Sequence, residues 1–441
     1  MTKQLEQKLD SFNAAERKKA LQALLLKVTT GEIALPLPST AVNLHCHTFF
    51  SYNSYGYSPS KFAWLARKQG LAVAGIVDFD VLDGLDEFLD AAKTIGLKST
   101  VGIETRVFIP EFADKVINSP GEPGLSYHMG MGFTNSKLTG SQRDFLARLR
   151  QTAQQRNRDL TQRVNKFLKS VELDYEKDVL TLTPSDNPTE RHICLAYARK
   201  AKQILGDDAA LGKFWSEKIG TNIIPINLPE SRELLNAIRA KTLKQGGAGY
   251  VKPDTGSFPK LDEMNQFILA VGAIPVMTWL DGTSDGEQDI ERLLDVEMKS
   301  GVVAINLIPD RNFTPGVKNQ KLANLYRIVE LAESRNLPIV VGTEMNSPGQ
   351  KFVDSFKTAE LKPLVPVFLK GAYIIYAHSV LQQTCGLGYL SNWAKKNFLT
   401  VAAKNEFFEK IGRLLKMAQQ DIFIGLTENI TPNEILQKIG A

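Results

Sequence analysis

Cysteine and histidine are scarce in this 441-residue chain, which carries three of the first and five of the second. Cys46, Cys194 and Cys385 are widely spaced and fit no pairing motif. That excludes a disulfide scaffold and a thiolate zinc site, and it suits a reducing compartment. A large charge of one sign is also lacking. The net charge of +5 suits a small anionic substrate and does not call for nucleic acid. No apolar run reads as long enough to span a membrane, and the charged, helix-forming N-terminus shows no signal-peptide pattern. Internal repeats and low-complexity tracts are absent. The expectation is a cytoplasmic protein with no membrane partner. Its hydrophobic fraction of 43% and charged fraction of 23% are those of a globular chain, long enough for one large barrel with insertions or several domains.

With so few histidines, their positions carry information. Two of the five stand in Asn43-Leu44-His45-Cys46-His47-Thr48, where an apolar strand breaks into a loop with aromatic, Gly, Ser and Pro residues. Strand residues alternate faces, so His45 and His47 share one side and can share a metal ion.

Around this stretch the chain reads as follows. Residues 4–28 have apolar residues at helical spacing, and Asn13 with Glu16 forms a possible capping box for a second helix. A strand–helix alternation then places polar residues at strand ends: Asp78, Glu104 and His128. Between 135 and 249 this rhythm breaks into a helical stretch rich in Arg, Lys and Gln, which reads as an insertion. Strand–helix units resume, one strand ending near Trp279 and another at Glu344, and Ala372–Ala377 reads as a last strand ending at His378. The boundaries drawn are a helical arm (1–40), a first barrel half (41–134), the insertion (135–249), a second barrel half (250–390) and a helical tail (391–441). Strands alternating with helices imply an α/β protein with a parallel sheet, whose polar strand ends gather at one mouth.

Histidines and carboxylates gathered there are ligands for zinc, manganese or iron. Glu104 can bridge two ions, and such a pair can activate a water against a phosphate. Asp78 and Glu104 are the candidate catalytic carboxylates. Each member has a plainer reading as well: Asp78 as a helix cap, Glu104 as a partner of Arg106, His128 and His378 as buried core histidines.

In these residues the chain resembles the PHP (polymerase and histidinol phosphatase) metal-dependent phosphoesterases. It looks most like the branch that acts on nucleoside bisphosphates and short oligonucleotides. The matching motifs are His45-Cys46-His47-Thr48, Val77-Asp78-Phe79-Asp80, Gly102-Ile103-Glu104 and the strand histidine His128. Arg191-His192-Ile193 stands where that branch has an Arg-Pro-His-Ile element in its insertion. The resemblance implies a distorted PHP-type (β/α)7 barrel with a helical insertion and helical terminal extensions. It also implies one or two divalent ions (Mn, Fe or Zn) on His45, His47, Glu104, His128 and Glu344. Arg106, Arg156, Arg191 and His192 would hold the phosphate of a small anionic substrate, short oligonucleotides being the largest.

The chain also departs from the family. Phe79 replaces the second-motif histidine, Trp279 stands where another ligand histidine belongs, and Asn346 replaces a third. The resemblance therefore implies that a third ion is lost and that Phe79 and Trp279 wall the pocket. The expected function is hydrolysis of a phosphoester in a nucleotide-like substrate. The alternative is a catalytically degenerate barrel that binds or regulates.

Overall fold

The computed structural model describes residues 2–220, 230–252, 256–314 and 316–440, so residues 221–229 of the insertion lie outside it. Seven short apolar segments pair in chain order as one sheet: β1 (Val42–Cys46), β2 (Val73–Phe79), β3 (Ser99–Phe108), β4 (Leu125–Met131), β5 (Ile274–Thr278), β6 (Ala304–Leu307) and β7 (Ile339–Val341). A bridge between Cys46 and Glu344 joins the ends. Glu344 N donates to His45 O at 2.8 Å, and His47 N donates to Glu344 O at 2.9 Å. The result is a nearly closed seven-stranded α/β barrel whose seam runs through the histidine strand.

The sheet is not wholly parallel as the sequence implies. β4 runs antiparallel to both β3 and β5. A parallel neighbour needs a crossover, normally a helix, and the segment between β3 and β4 offers only the single turn Pro110–Phe112.

The helices follow the chain. Two form the N-terminal arm, α1 (Thr2–Lys8) and α2 (Ala14–Thr29), and the Asn13 side chain caps α2 by accepting from Ala15 N and Glu16 N. Crossovers α3 (Pro59–Lys68) and α4 (Leu85–Ile95) pack beside β1 to β3. The insertion holds α5 (Gly140–Leu168), α6 (Glu190–Leu205), α7 (Asp208–Ile219) and α8 (Arg232–Ile238) around a core of its own, built on Val164, Tyr197, Trp215 and Leu234. Then come α9 (Leu261–Ala270), α10 (Asp285–Gln288), α11 (Ile290–Lys299), α12 (Lys318–Ser334), α13 (Val365–Cys385), α14 (Asn392–Asn397), α15 (Val401–Leu414) and α16 (Pro432–Lys438).

Helix α13 corrects two expectations. Its Ala372–Ala377 stretch is helical, not a strand, because an apolar run buried on every side has no period by which to tell the two apart. Together with the turn before it, the segment Lys362–Cys385 is also long and apolar enough to cross a membrane, which the sequence reading had excluded; 67% of its most apolar window is buried inside the protein. The helix lies across the barrel end opposite the mouth. Ser379 shares a hydrogen bond of 2.9 Å with Thr100 at the start of β3. Gly371 lies so close to the Ile339 backbone that a Cβ would collide with it. His378, on this helix, accepts from Tyr389 N at 3.0 Å and is a core histidine.

Register positions the site. Cross-strand partners share a face, and a step of one residue changes it. Phe79 pairs with Glu104, Glu104 with Met129, and Met129 with Val276, a row facing the barrel interior. Asp78 pairs with Ile103, and Thr105 with His128 and then Met277, a row facing the surrounding helices.

Candidate metal centre and anion cavity

On β1 both histidines point inward and are fully buried, while Leu44 and Cys46 pack outward. Gly342, just after β7, lies against His45 so closely that any side chain would collide with it. Nε2 of His45 lies 3.3 Å and Nε2 of His47 lies 3.1 Å from Oε2 of Glu104. Their donor atoms all fall within 4.8 Å of one another, and no other cluster of three or more such donors occurs among the described residues.

The outer ring nitrogens settle the tautomers. His47 Nδ1 lies 3.2 Å from Ser51 Oγ, whose own proton goes to Asp78 Oδ1 at 2.7 Å. Ser51 must then accept from Nδ1–H, which leaves a lone pair on Nε2. His45 Nδ1 lies 3.3 Å from the Asn306 carbonyl oxygen, with the same consequence. Both imidazoles thus turn bare nitrogens toward the carboxylate, as metal-bound histidines do. Burial works to raise the Glu104 carboxyl; positive charge at the histidine positions, which imidazolium protons or a bound cation would supply, outweighs it and draws the carboxyl down to about 2. His45 Nε2, His47 Nε2, Glu104 Oε2, Thr278 Oγ1 and Asn306 Nδ2 are buried without a hydrogen-bond partner. Buried polar atoms are normally paired. A divalent cation among two imidazoles and a carboxylate would satisfy the first three, so these residues fit the expected ion.

The centre opens into a cavity of about 740 Å³ between barrel mouth and insertion. Arg106, Arg156, Arg191, Glu190, Glu344 and Asn346 are among its lining residues. Arg106 pairs with Glu122 at 2.7 Å and faces Glu190 at 3.8 Å. Arg156 and Arg191 differ, having no carboxylate within salt-bridge distance among the described residues. Arg156 donates to Ser257 O at 3.1 Å and Arg191 to Asn236 Oδ1 at 2.7 Å. The Arg106 and Arg156 guanidiniums both lie over the Phe258 ring, at 4.3 and 4.4 Å from its centroid. Burial lowers Arg156 to about 10, and Arg106 beside it adds to that. Asn187 ties the insertion to the barrel, its amide donating to Phe50 O at 3.1 Å and Phe79 O at 2.9 Å.

The sequence candidates divide by face. Phe79 stacks on His47, centroids 4.5 Å apart and planes 18° from parallel, and lines the cavity. Glu344 also lines it, but its carboxylate takes Gln350 Nε2 at 2.9 Å and faces Arg311 at 3.8 Å. Its φ of +60°, followed by +55° at Met345, marks a strained turn where the barrel closes.

Four candidates are placed elsewhere. His128 is on the outer face, bound to Asn265 Oδ1 at 2.6 Å and 3.5 Å from Glu297, because its strand runs antiparallel and Met129 takes the inward place. Asp78, on the outer row of β2, accepts from Thr48 N, Thr48 Oγ1 and Ser51 Oγ, all at 2.7 Å, and braces the loop after β1. Trp279 follows the inward Thr278, so it turns outward into the main core at 2% exposure. His192 caps its own helix, Nδ1 accepting from Thr189 N at 3.0 Å. Sequence reasoning missed Asn306, a polar residue between Ile305 and Leu307 in an apolar strand, a signal that was present. It also missed the Ser51–Asp78 relay and Phe258.

No family model matches the chain, and no curated protein matches it in sequence. Among solved structures it is similar to an amidohydrolase from Chromobacterium violaceum, with bound sulfate and no metal: 16% identity, TM-score 0.47, covering 70% of this chain and 88% of that one. It is also similar to a protein of Bifidobacterium adolescentis described as a candidate metal-dependent phosphoesterase: 16% identity, TM-score 0.48, covering 75% and 98%. At that distance the likeness assigns no activity to the chain.

Proposed function

We propose that the chain is a metal-dependent hydrolase of a phosphoester in a small, nucleotide-like anion. One juxtaposition carries the reading: two guanidiniums without carboxylate partners among the described residues share a cavity with an unsatisfied His-His-Glu set. An ion held by His45, His47 and Glu104 would supply Lewis-acid chemistry and water activation. Arg156 and Arg191 supply charge-assisted hydrogen bonds that orient a phosphate and offset its charge. Arg106, already paired with Glu122, holds Phe258 in place beneath Arg156. Phe79 and Tyr127, both on the cavity wall, offer ring faces to a flat apolar part of the ligand. The volume falls within the range of small-molecule sites.

The test is phosphate release from a panel of nucleotide monoesters by protein reconstituted with Mn, Fe or Zn. Release that chelation abolishes, and that Arg156→Ala weakens through KM, supports the reading. The alternative, a binding or regulatory barrel, draws on the outward turn of His128 and Asp78. Metal-replete protein that binds a nucleotide without turnover would favour it.

A further inference from the structure

We infer that the centre holds a single ion on His45, His47 and Glu104, and that Phe79 and Met129 close the position beside it where a second ion would sit. This rests on the metal reading above and deepens it. A second ion would share Glu104 and draw its other donors from the inward residues on either side of that carboxylate. The register names them: Phe79 on β2 and Met129 on β4. Directly paired residues on neighbouring strands bring their Cβ atoms to about 5 Å, so these side chains occupy the flanking space.

Neither side chain is a suitable ligand. Phe79 has no donor atom, and its ring lies flat against His47. Met129 is fully buried and offers a soft thioether, which suits none of the divalent ions that imidazole and carboxylate select. The nearby carboxylates are engaged: Asp80 accepts from Thr105 Oγ1 at 2.6 Å, and Glu344 holds Gln350. His128 and Cys46 point away from the interior. Two imidazoles and one carboxylate are also a complete set for one catalytic ion, with positions left for water and substrate.

The test is metal stoichiometry. Protein loaded with Mn(II) and freed of excess would be measured by elemental analysis, native mass spectrometry and electron paramagnetic resonance. One ion per chain with the spectrum of an isolated Mn(II) is expected. Glu104→Gln should lose the ion and His128→Ala should keep it. Two ions per chain, or an exchange-coupled spectrum, would overturn the inference while leaving the hydrolase reading intact. Loss of the ion from folded His128→Ala protein would also overturn it. No bound ion in wild type would overturn both.

Discussion

Two histidine–carboxylate groups sit on opposite faces of the barrel wall. The inner one is His45, His47 and Glu104; the outer one is His128 with Glu297. Both are buried, and both contain polar atoms without hydrogen-bond partners. Their electrostatics are opposite. Inside, positive charge beside the carboxylate, on the imidazoles or on an ion they hold, outweighs burial and keeps Glu104 ionised. Outside, burial lowers His128 to about 4 and raises Glu297 to about 8, so both are neutral at pH 7. The inner group opens on an arginine-lined cavity, while the outer is sealed between β4, α9 and α11 with Asn265. Burial and unpaired polar atoms therefore do not by themselves make a site. The face of the sheet separates the two cases.

Substitutions can break this contrast, starting with the largest effect. Glu104→Gln should weaken ion binding by roughly 100-fold or more, since even outer-shell partners of metal ligands are worth 10–100-fold; titration with a competing chelator measures it. His128→Ala should cost about 2–4 kcal/mol of stability by leaving a cavity and stranding Asn265. Its ion affinity should be unchanged, so urea unfolding and metal analysis together separate the two faces. Asp78→Asn should fall between them. It removes an acceptor from the Thr48 and Ser51 hydroxyls, loosens the Ser51 contact to His47, and should weaken ion binding by roughly 10-fold at constant fold. Arg156→Ala should raise KM by about 10-fold, the loss of one charge-assisted hydrogen bond, with kcat and metal content little changed.

The histidine strand, the carboxylate of β3 and the helical insertion were legible because each rests on a local pattern: alternation around His45 and His47, an apolar run leading into Glu104 (though the strand continues to Phe108 rather than ending there), helical spacing after 135. What was not legible depends on strand direction and register. Reversing β4 turns His128 outward and Met129 inward, and no residue in β4 itself announces that reversal. Asp78 and Trp279 fail for the same reason, each one residue from an inward position. His192 was read as a phosphate ligand, but it closes the capping box with Thr189 at the start of α6, a role its place just after Thr189 makes available. Helix α13 was misread because it is apolar all round, and only its packing across the barrel floor decides its form.

The smallest effect is expected of Glu297→Gln in mild acid, and its pH dependence makes it the sharpest probe of the outer face. Burial raises the folded-state pKa of Glu297 to about 8 from an ordinary value of 4.5. A raised carboxyl pKa adds stability that is fully present below about 4.5 and lost as pH rises toward 8, because the unfolded chain releases the proton first. His128 works in the other direction. Its folded-state pKa of about 4 lies below the ordinary 6.5, so its contribution is lost as pH falls through that window. Measurements between pH 7 and 9 therefore isolate the glutamate. Glutamine has the shape of the protonated acid and cannot ionise, so near pH 4.5 the variant should unfold within about 1 kcal/mol of wild type. As pH rises from there to about 8 the wild type should lose stability relative to the variant, leaving the variant the more stable, with no further divergence by pH 9. Parallel stability curves across that range would show that Glu297 is already ionised in the folded protein, and the outer pair would then be a buried ion pair.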